Sequence, residues 1–75
     1  MSKIEMHPVE SSNLESVGYD ENENILQVKF LKKRSGKIYQ YKDVPKMVYN
    51  EMISASSVGS YFQKYIRPVY HYREV

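Results

Sequence analysis

The sequence predicts an α+β fold in the order βββαα: a three-stranded antiparallel meander, then two helices packed on one of its faces. Three observations predict it. Apolar residues alternate with polar ones through the first half, as in half-buried strands. The second half spaces them by three and four, as one face of a helix requires. The 75 residues suffice for one small domain only, since about 60 is near the lower limit for folding alone.

Residues 1–8 read as a lead-in. Pro8 restricts the stretch 5–9 to an edge strand or extended chain. Ser11-Ser12-Asn13 is a turn, because these side chains compete for local backbone bonds. Residues 14–19 form the first strand, with Val17 and Tyr19 sharing a face. The polar run Asp20-Glu21-Asn22-Glu23-Asn24 connects it to the second, and Asn tolerates the positive φ that hairpin turns need. Residues 25–31 are the clearest strand, with Leu26, Val28 and Phe30 alternating with Gln27 and Lys29. Lys32-Lys33-Arg34-Ser35-Gly36 is the next turn. In the third strand, residues 37–42, Tyr39 and Tyr41 share one face, and Ile38, Gln40 and Lys42 the other. Connections this short make the three strands antiparallel.

Asp43-Val44-Pro45 opens the first helix, with Asp as an amide acceptor and Pro in the first turn, where its missing N–H costs nothing. Val44, Met47, Val48, Met52 and Ala55 form its apolar stripe. Ser54-Ala55-Ser56-Ser57 interrupts it, and a Ser caps a second helix over residues 58–66. Its stripe is Val58, Phe62, Tyr65 and Ile66. Gly59 inside a helix would cost about 1 kcal/mol, so a close approach to a neighbour or a place within the cap is expected there. Pro68 ends the helix. The domain spans 9–70 with 71–75 as a C-terminal tail, and residues 69–75 read as a docked tail or a fourth, edge strand. The sheet face away from the helices stays open to solvent. Of the eight tyrosines, Tyr19, Tyr39, Tyr41 and Tyr65 are assigned to the core, and Tyr49, Tyr61, Tyr70 and Tyr72 to the surface.

Composition excludes several chemistries. Without Cys there is no disulfide framework, thiolate metal site, iron–sulfur cluster or cysteine nucleophile. A secreted chain this small usually needs staples, which favours the cytoplasm. No apolar run approaches the ~20 residues of a membrane span, and residues 1–8 contain no apolar signal core. His7 and His71 belong to no metal-ligand spacing, and no nucleophile-elbow or phosphate-cradling glycine pattern is present. The expectation is a non-catalytic protein without metal or cofactor.

The net charge of +2 conceals an asymmetry. Residues 1–24 carry six carboxylates against Lys3, a balance of −5, while residues 25–75 carry ten Lys and Arg against Asp43, Glu51 and Glu74, a balance of +7. Such asymmetry points to a polyanion. Lys29, Lys32, Lys33, Arg34, Lys37 and Lys42 are the candidate phosphate contacts, weighed against a solvated edge that resists strand-to-strand aggregation. Tyr39 and Tyr41 are either stacking platforms for bases or the continuation of the apolar face with Val28 and Phe30, and the latter is preferred. Ser56-Ser57-Val58-Gly59 reads as a cap rather than an anion site, and Arg67 as a charge suited to a helix end.

An ordered set of short motifs resembles the KTSC domain. It comprises Val9-Glu10-Ser11-Ser12-Asn13-Leu14, Val17-Gly18-Tyr19-Asp20, the run from Gly36 to Pro45, Val48-Tyr49, Ala55-Ser56-Ser57-Val58-Gly59-Ser60-Tyr61-Phe62, Ile66-Arg67 and Tyr70. The family occurs at the C-terminus of some lysyl-tRNA synthetases and as stand-alone bacterial and phage proteins. Its hallmark Tyr-x-Tyr matches Tyr39 and Tyr41, and Pro45, Gly59 and Phe62 match further structural positions. The family has no established biochemical function, and RNA binding is what the synthetase association implies. Two departures stand out: the turn at residues 31–35 is longer and more basic than the family's, and Gln63 stands where its pattern has Asn.

Two functions follow as expectations. One is a small RNA-binding module acting through the basic hairpin and the open sheet face, as a monomer or weak homodimer. The other is a protein-interaction module using a strand edge or the Tyr61, Tyr65, Tyr70 and Tyr72 surface.

Overall fold

The computed structural model describes residues 4–75. The chain runs β1 (His7–Pro8), β2 (Leu14–Asp20), β3 (Ile25–Phe30), β4 (Ile38–Tyr41), α1 (Lys46–Ser54), α2 (Val58–Tyr61), a π-helical turn (Phe62–Ile66) and β5 (Tyr72–Glu74). The strands form one antiparallel sheet in sequence order, β1-β2-β3-β4-β5. The expected meander is its centre. The lead-in and the tail add an edge strand each, so among the described residues the sheet has five strands rather than three or four.

Register places the apolar residues together. Val17 lies opposite Val28 and Tyr19 opposite Leu26, while Leu26 pairs with Tyr41 and Val28 with Tyr39. Leu14 and Val17 are three apart, which strict alternation would put on opposite faces. A register shift between Leu14 and Ser16 absorbs one residue, and both side chains are buried. The helical half closes the core on this face with Val44, Met52, Val58, Phe62 and Ile66.

The first helix starts later than expected. Asp43 accepts no helix-start amide. It takes a left-handed conformation (φ 57°), and α1 begins after Pro45 without a side-chain cap. The cause is tertiary: the Val44 amide donates to the Asn24 carbonyl (2.9 Å) and its side chain is buried. This ties the connection to the β2–β3 hairpin. With the helix beginning at Lys46, Val48 and Met52 face the sheet and Met47 turns outward, 71% exposed.

The second helix departs from α geometry after one turn. The Arg67 amide donates to the Phe62 carbonyl (3.0 Å), an i to i+5 bond. The wider turn keeps Val58, Phe62 and Ile66, four apart, in the core and rotates Tyr65 away. Tyr65 is therefore exposed, against the expectation, and packs on Tyr61 (4.8 Å). Tyr49, Tyr61 and Tyr70, assigned to the surface, instead pack against the core margin.

Ser57 caps α2, accepting from the Ser60 amide (3.2 Å). Gly59 is a close approach as expected. A Cβ built there would lie 2.5 Å from Ser11 Oγ, which itself accepts from the Asn13 and Leu14 amides (3.1 Å each). The opposite sheet face is covered in part by the N-terminal segment. Glu5 and Met6 lie over Gly18, and Met6 Sδ accepts from Gln27 (3.3 Å).

Candidate nucleic-acid interface

Tyr41 is fully buried, with Phe62 edge-on at 5.3 Å and Tyr72 at 5.2 Å. Burial, only partly offset by the Arg67 charge, pushes its hydroxyl up to about 12. Tyr39 is half-buried, with Phe30 and Tyr72 edge-on at 5.5 and 5.3 Å. Both lie on the face that the helices cover: Tyr41 is a core residue and Tyr39 packs at the core margin, so the pair does not form an open aromatic sheet face of the kind found on RNA-binding sheets. Pro45 flanks α1, and Phe62 connects the sheet aromatics to the helical half through Phe30 (5.9 Å) and Tyr41.

The open face is less basic than its strand pattern suggested. Its middle is a polar ladder: Gln40 donates to Gln27 (2.8 Å) and accepts from Arg73 (3.2 Å). Ile25, Ile38 and Val75 line a shallow groove around it with Ile4 and Met6.

The six predicted basic residues divide. Lys29 pairs with Glu15 (3.2 Å), across the β2–β3 register shift, and Lys37 pairs with Glu74 of β5 (3.6 Å). Lys46, outside the six, pairs with Glu21. Lys42 sits at the far end of β4, five residues and roughly 16 Å along extended chain from Lys37. The structure brings together Lys32, Lys33 and Arg34, all exposed on the β3–β4 turn. That turn is closed by backbone hydrogen bonds. The Leu31 carbonyl accepts from the amides of Arg34, Ser35 and Gly36 (2.9–3.0 Å), and Gly36 takes the left-handed conformation (φ 69°). Among the described residues, none of the three turn cations has a carboxylate within ion-pair distance.

Beside the turn the fold adds residues outside the predicted set. A recess is lined by Arg34, Asn13, Gln63, Arg67, Phe30 and Tyr39. Gln63 and Arg67 are joined by a hydrogen bond from Arg67 to Gln63 Oε1 (3.0 Å). Their spacing of four was the sequence signal that they share a side of a helical segment. That this side meets the basic turn depends on how the segment docks. Among the described residues no three His, Asp or Glu cluster to hold a metal, and no helix is long and apolar enough to cross a membrane.

A family model and a solved structure point to one family. The sequence pattern of the KTSC domain matches residues 10–75. The chain is 40% identical over 65 residues to an uncharacterised protein of Stutzerimonas stutzeri, covering 87% of this chain and 86% of that one. It is 38% identical over 63 residues to a protein of Tsukamurella paurometabola, covering 84% and 90%. The crystal structure of a KTSC domain protein from Yersinia pestis superposes with a TM-score of 0.89 at 32% identity, covering 97% of this chain and 99% of that one. With nearly the full length matched in sequence and in fold, the chain belongs to the KTSC domain family.

Proposed function

We propose that the protein is a non-catalytic, cytoplasmic nucleic-acid-binding module, with RNA as its ligand. The observation that carries this reading is the distribution of carboxylates. Glu15, Glu74 and Glu21 lie against Lys29, Lys37 and Lys46, while Lys32, Lys33 and Arg34 project together from one turn with no acidic partner among the described residues. Arg67 extends this bare cationic surface from the neighbouring element. A concentrated positive tip suits a phosphate backbone, because releasing condensed counterions drives such association.

Filter binding and gel shift against mixed tRNA at two salt concentrations test it. Three to four phosphate contacts predict that log K falls with log salt at a slope of about −2 to −3. Charge reversal of Lys32, Lys33 and Arg34 together is expected to abolish binding. Absence of salt-sensitive binding at micromolar protein would overturn the reading.

A further inference from the structure

The recess beside the basic turn joins the charge of that turn to residues of the sheet and of the π-helical turn. Its space is about 320 Å3, at the small end of ligand pockets and suited to a group of nucleotide size. Its polar residues are Arg34, Arg67, Asn13, Gln63 and Ser35, each with a hydrogen-bond donor, and no carboxylate is among them. The sheet supplies the rings of Phe30 and Tyr39.

Both arginines are held by one N–H and keep the rest. Arg67 donates through one terminal nitrogen to Gln63 Oε1 (3.0 Å). Arg34 donates through Nε to the Ser12 carbonyl (3.4 Å). Each guanidinium therefore retains donors for a further acceptor. The π-helical turn contributes here as well. The i to i+5 bond from Arg67 to Phe62 widens the segment just where Gln63 and Arg67 leave it, and both side chains reach the recess. Such turns recur at functional sites.

We propose that this recess binds one phosphate of a single-stranded nucleic acid, gripped by Arg34 and Arg67, with the attached nucleoside against Phe30 and Tyr39. The planar guanidinium fork matches two phosphate oxygens, which a lysine ammonium does not. The choice of ligand rests on the nucleic-acid reading above, and the subsite is what it adds. Lys32 and Lys33 then supply field and on-rate, while Arg34 and Arg67 fix register.

The test observes the arginine side-chain Nε–H resonances during titration with uridine 5′-monophosphate, uridine and a short oligouridylate. Saturable shifts at both Arg34 and Arg67 with the monophosphate, and none with uridine, are expected. Arg67→Gln should lower affinity for the monophosphate about tenfold. Arg67→Lys should fail to restore it, since the charge returns without the fork. Arg67 is exposed, and its amide spectrum reports whether the variant keeps the fold; Arg34→Gln, on the other element, should repeat the loss. A monophosphate that moves neither arginine, shifts equal to those from uridine, or an Arg67→Gln variant that binds like the parent would each overturn the subsite. If the oligomer binds and depends on Lys32 and Lys33 but not on Arg67, the subsite falls and the nucleic-acid reading stands. If the monophosphate binds at both arginines and neither the oligomer nor tRNA does, the recess stands as a mononucleotide site and the nucleic-acid reading falls.

Discussion

Gly59→Ala in α2 sets two known effects against each other, and the geometry decides their sign. Alanine improves helix propensity by at most about 1 kcal/mol, less near a helix start. The new methyl would lie 2.5 Å from Ser11 Oγ, a distance that carbon and oxygen do not tolerate. Ser11 cannot rotate away freely, because its Oγ accepts from the Asn13 and Leu14 amides at 3.1 Å each. Losing both bonds costs about 1–3 kcal/mol; keeping them forces a backbone shift in a tight core, at about 1–3 kcal/mol. Either way the clash outweighs the propensity gain, and Gly59→Ala is expected to destabilise by about 1–2 kcal/mol, or roughly 4–16 °C in melting temperature for a domain of this size. The Ser11→Ala background reverses the sign. There the nearest remaining Ser11 atom is its Cβ, 3.6 Å from the added methyl and in ordinary contact. In that background Gly59→Ala should leave stability unchanged or raise it by up to about 1 kcal/mol. Urea and thermal unfolding of the four proteins in this cycle give the coupling directly. An equal loss in both backgrounds, or a gain in the parent, would refute the close-approach argument.

Two further predictions concern Tyr41. Tyr41→Ala should cost about 3 kcal/mol or more, since the ring is fully buried against Phe62 and Tyr72; an unchanged urea midpoint would show that the ring is not in the core. The raised Tyr41 pKa also gives alkaline instability. The folded state favours the protonated phenol, so this contribution is complete below the ordinary tyrosine value of 10.0 and is lost as pH rises from there through about 12. Tyr19 and Tyr49 are raised by burial as well and act in the same direction. Unfolding midpoints across this range, with tyrosinate absorbance recorded alongside, check it, and stability independent of pH there would contradict the burial of these phenols. The triple charge reversal at Lys32, Lys33 and Arg34 and the Arg67 substitutions complete the set.

Periodicity alone made the central meander legible. Alternation through Leu26, Val28, Tyr39 and Tyr41 can satisfy only one face, and the observed register keeps all four there. The turns were equally local: within the runs 20–24 and 32–36 the positive φ falls on an Asn and a Gly, Asn24 at 55° and Gly36 at 69°. The α+β class followed from the change of period between the two halves.

Partners distant in sequence decided the rest. Whether residues 71–75 formed a tail or a strand depended on the free edge of β4, which Tyr72, Arg73 and Glu74 occupy opposite Tyr41, Gln40 and Tyr39. Asp43 looked like a cap because capping is local, but the bond from Val44 to Asn24 moved the helix start beyond Pro45. Tyr65 belonged to an α-helical stripe that the π-helical turn unwound. The candidate site shows the same division. The sequence determined how many cations there are and that three of them crowd one turn. Only the tertiary structure decided which lysines meet a carboxylate, because Glu15 and Glu74 reach Lys29 and Lys37 across strands separated by a turn or by half the chain. It also decided that Arg67 would stand beside Arg34. Charge and period are properties of the chain, whereas neutralisation and convergence are distances, and folding sets them.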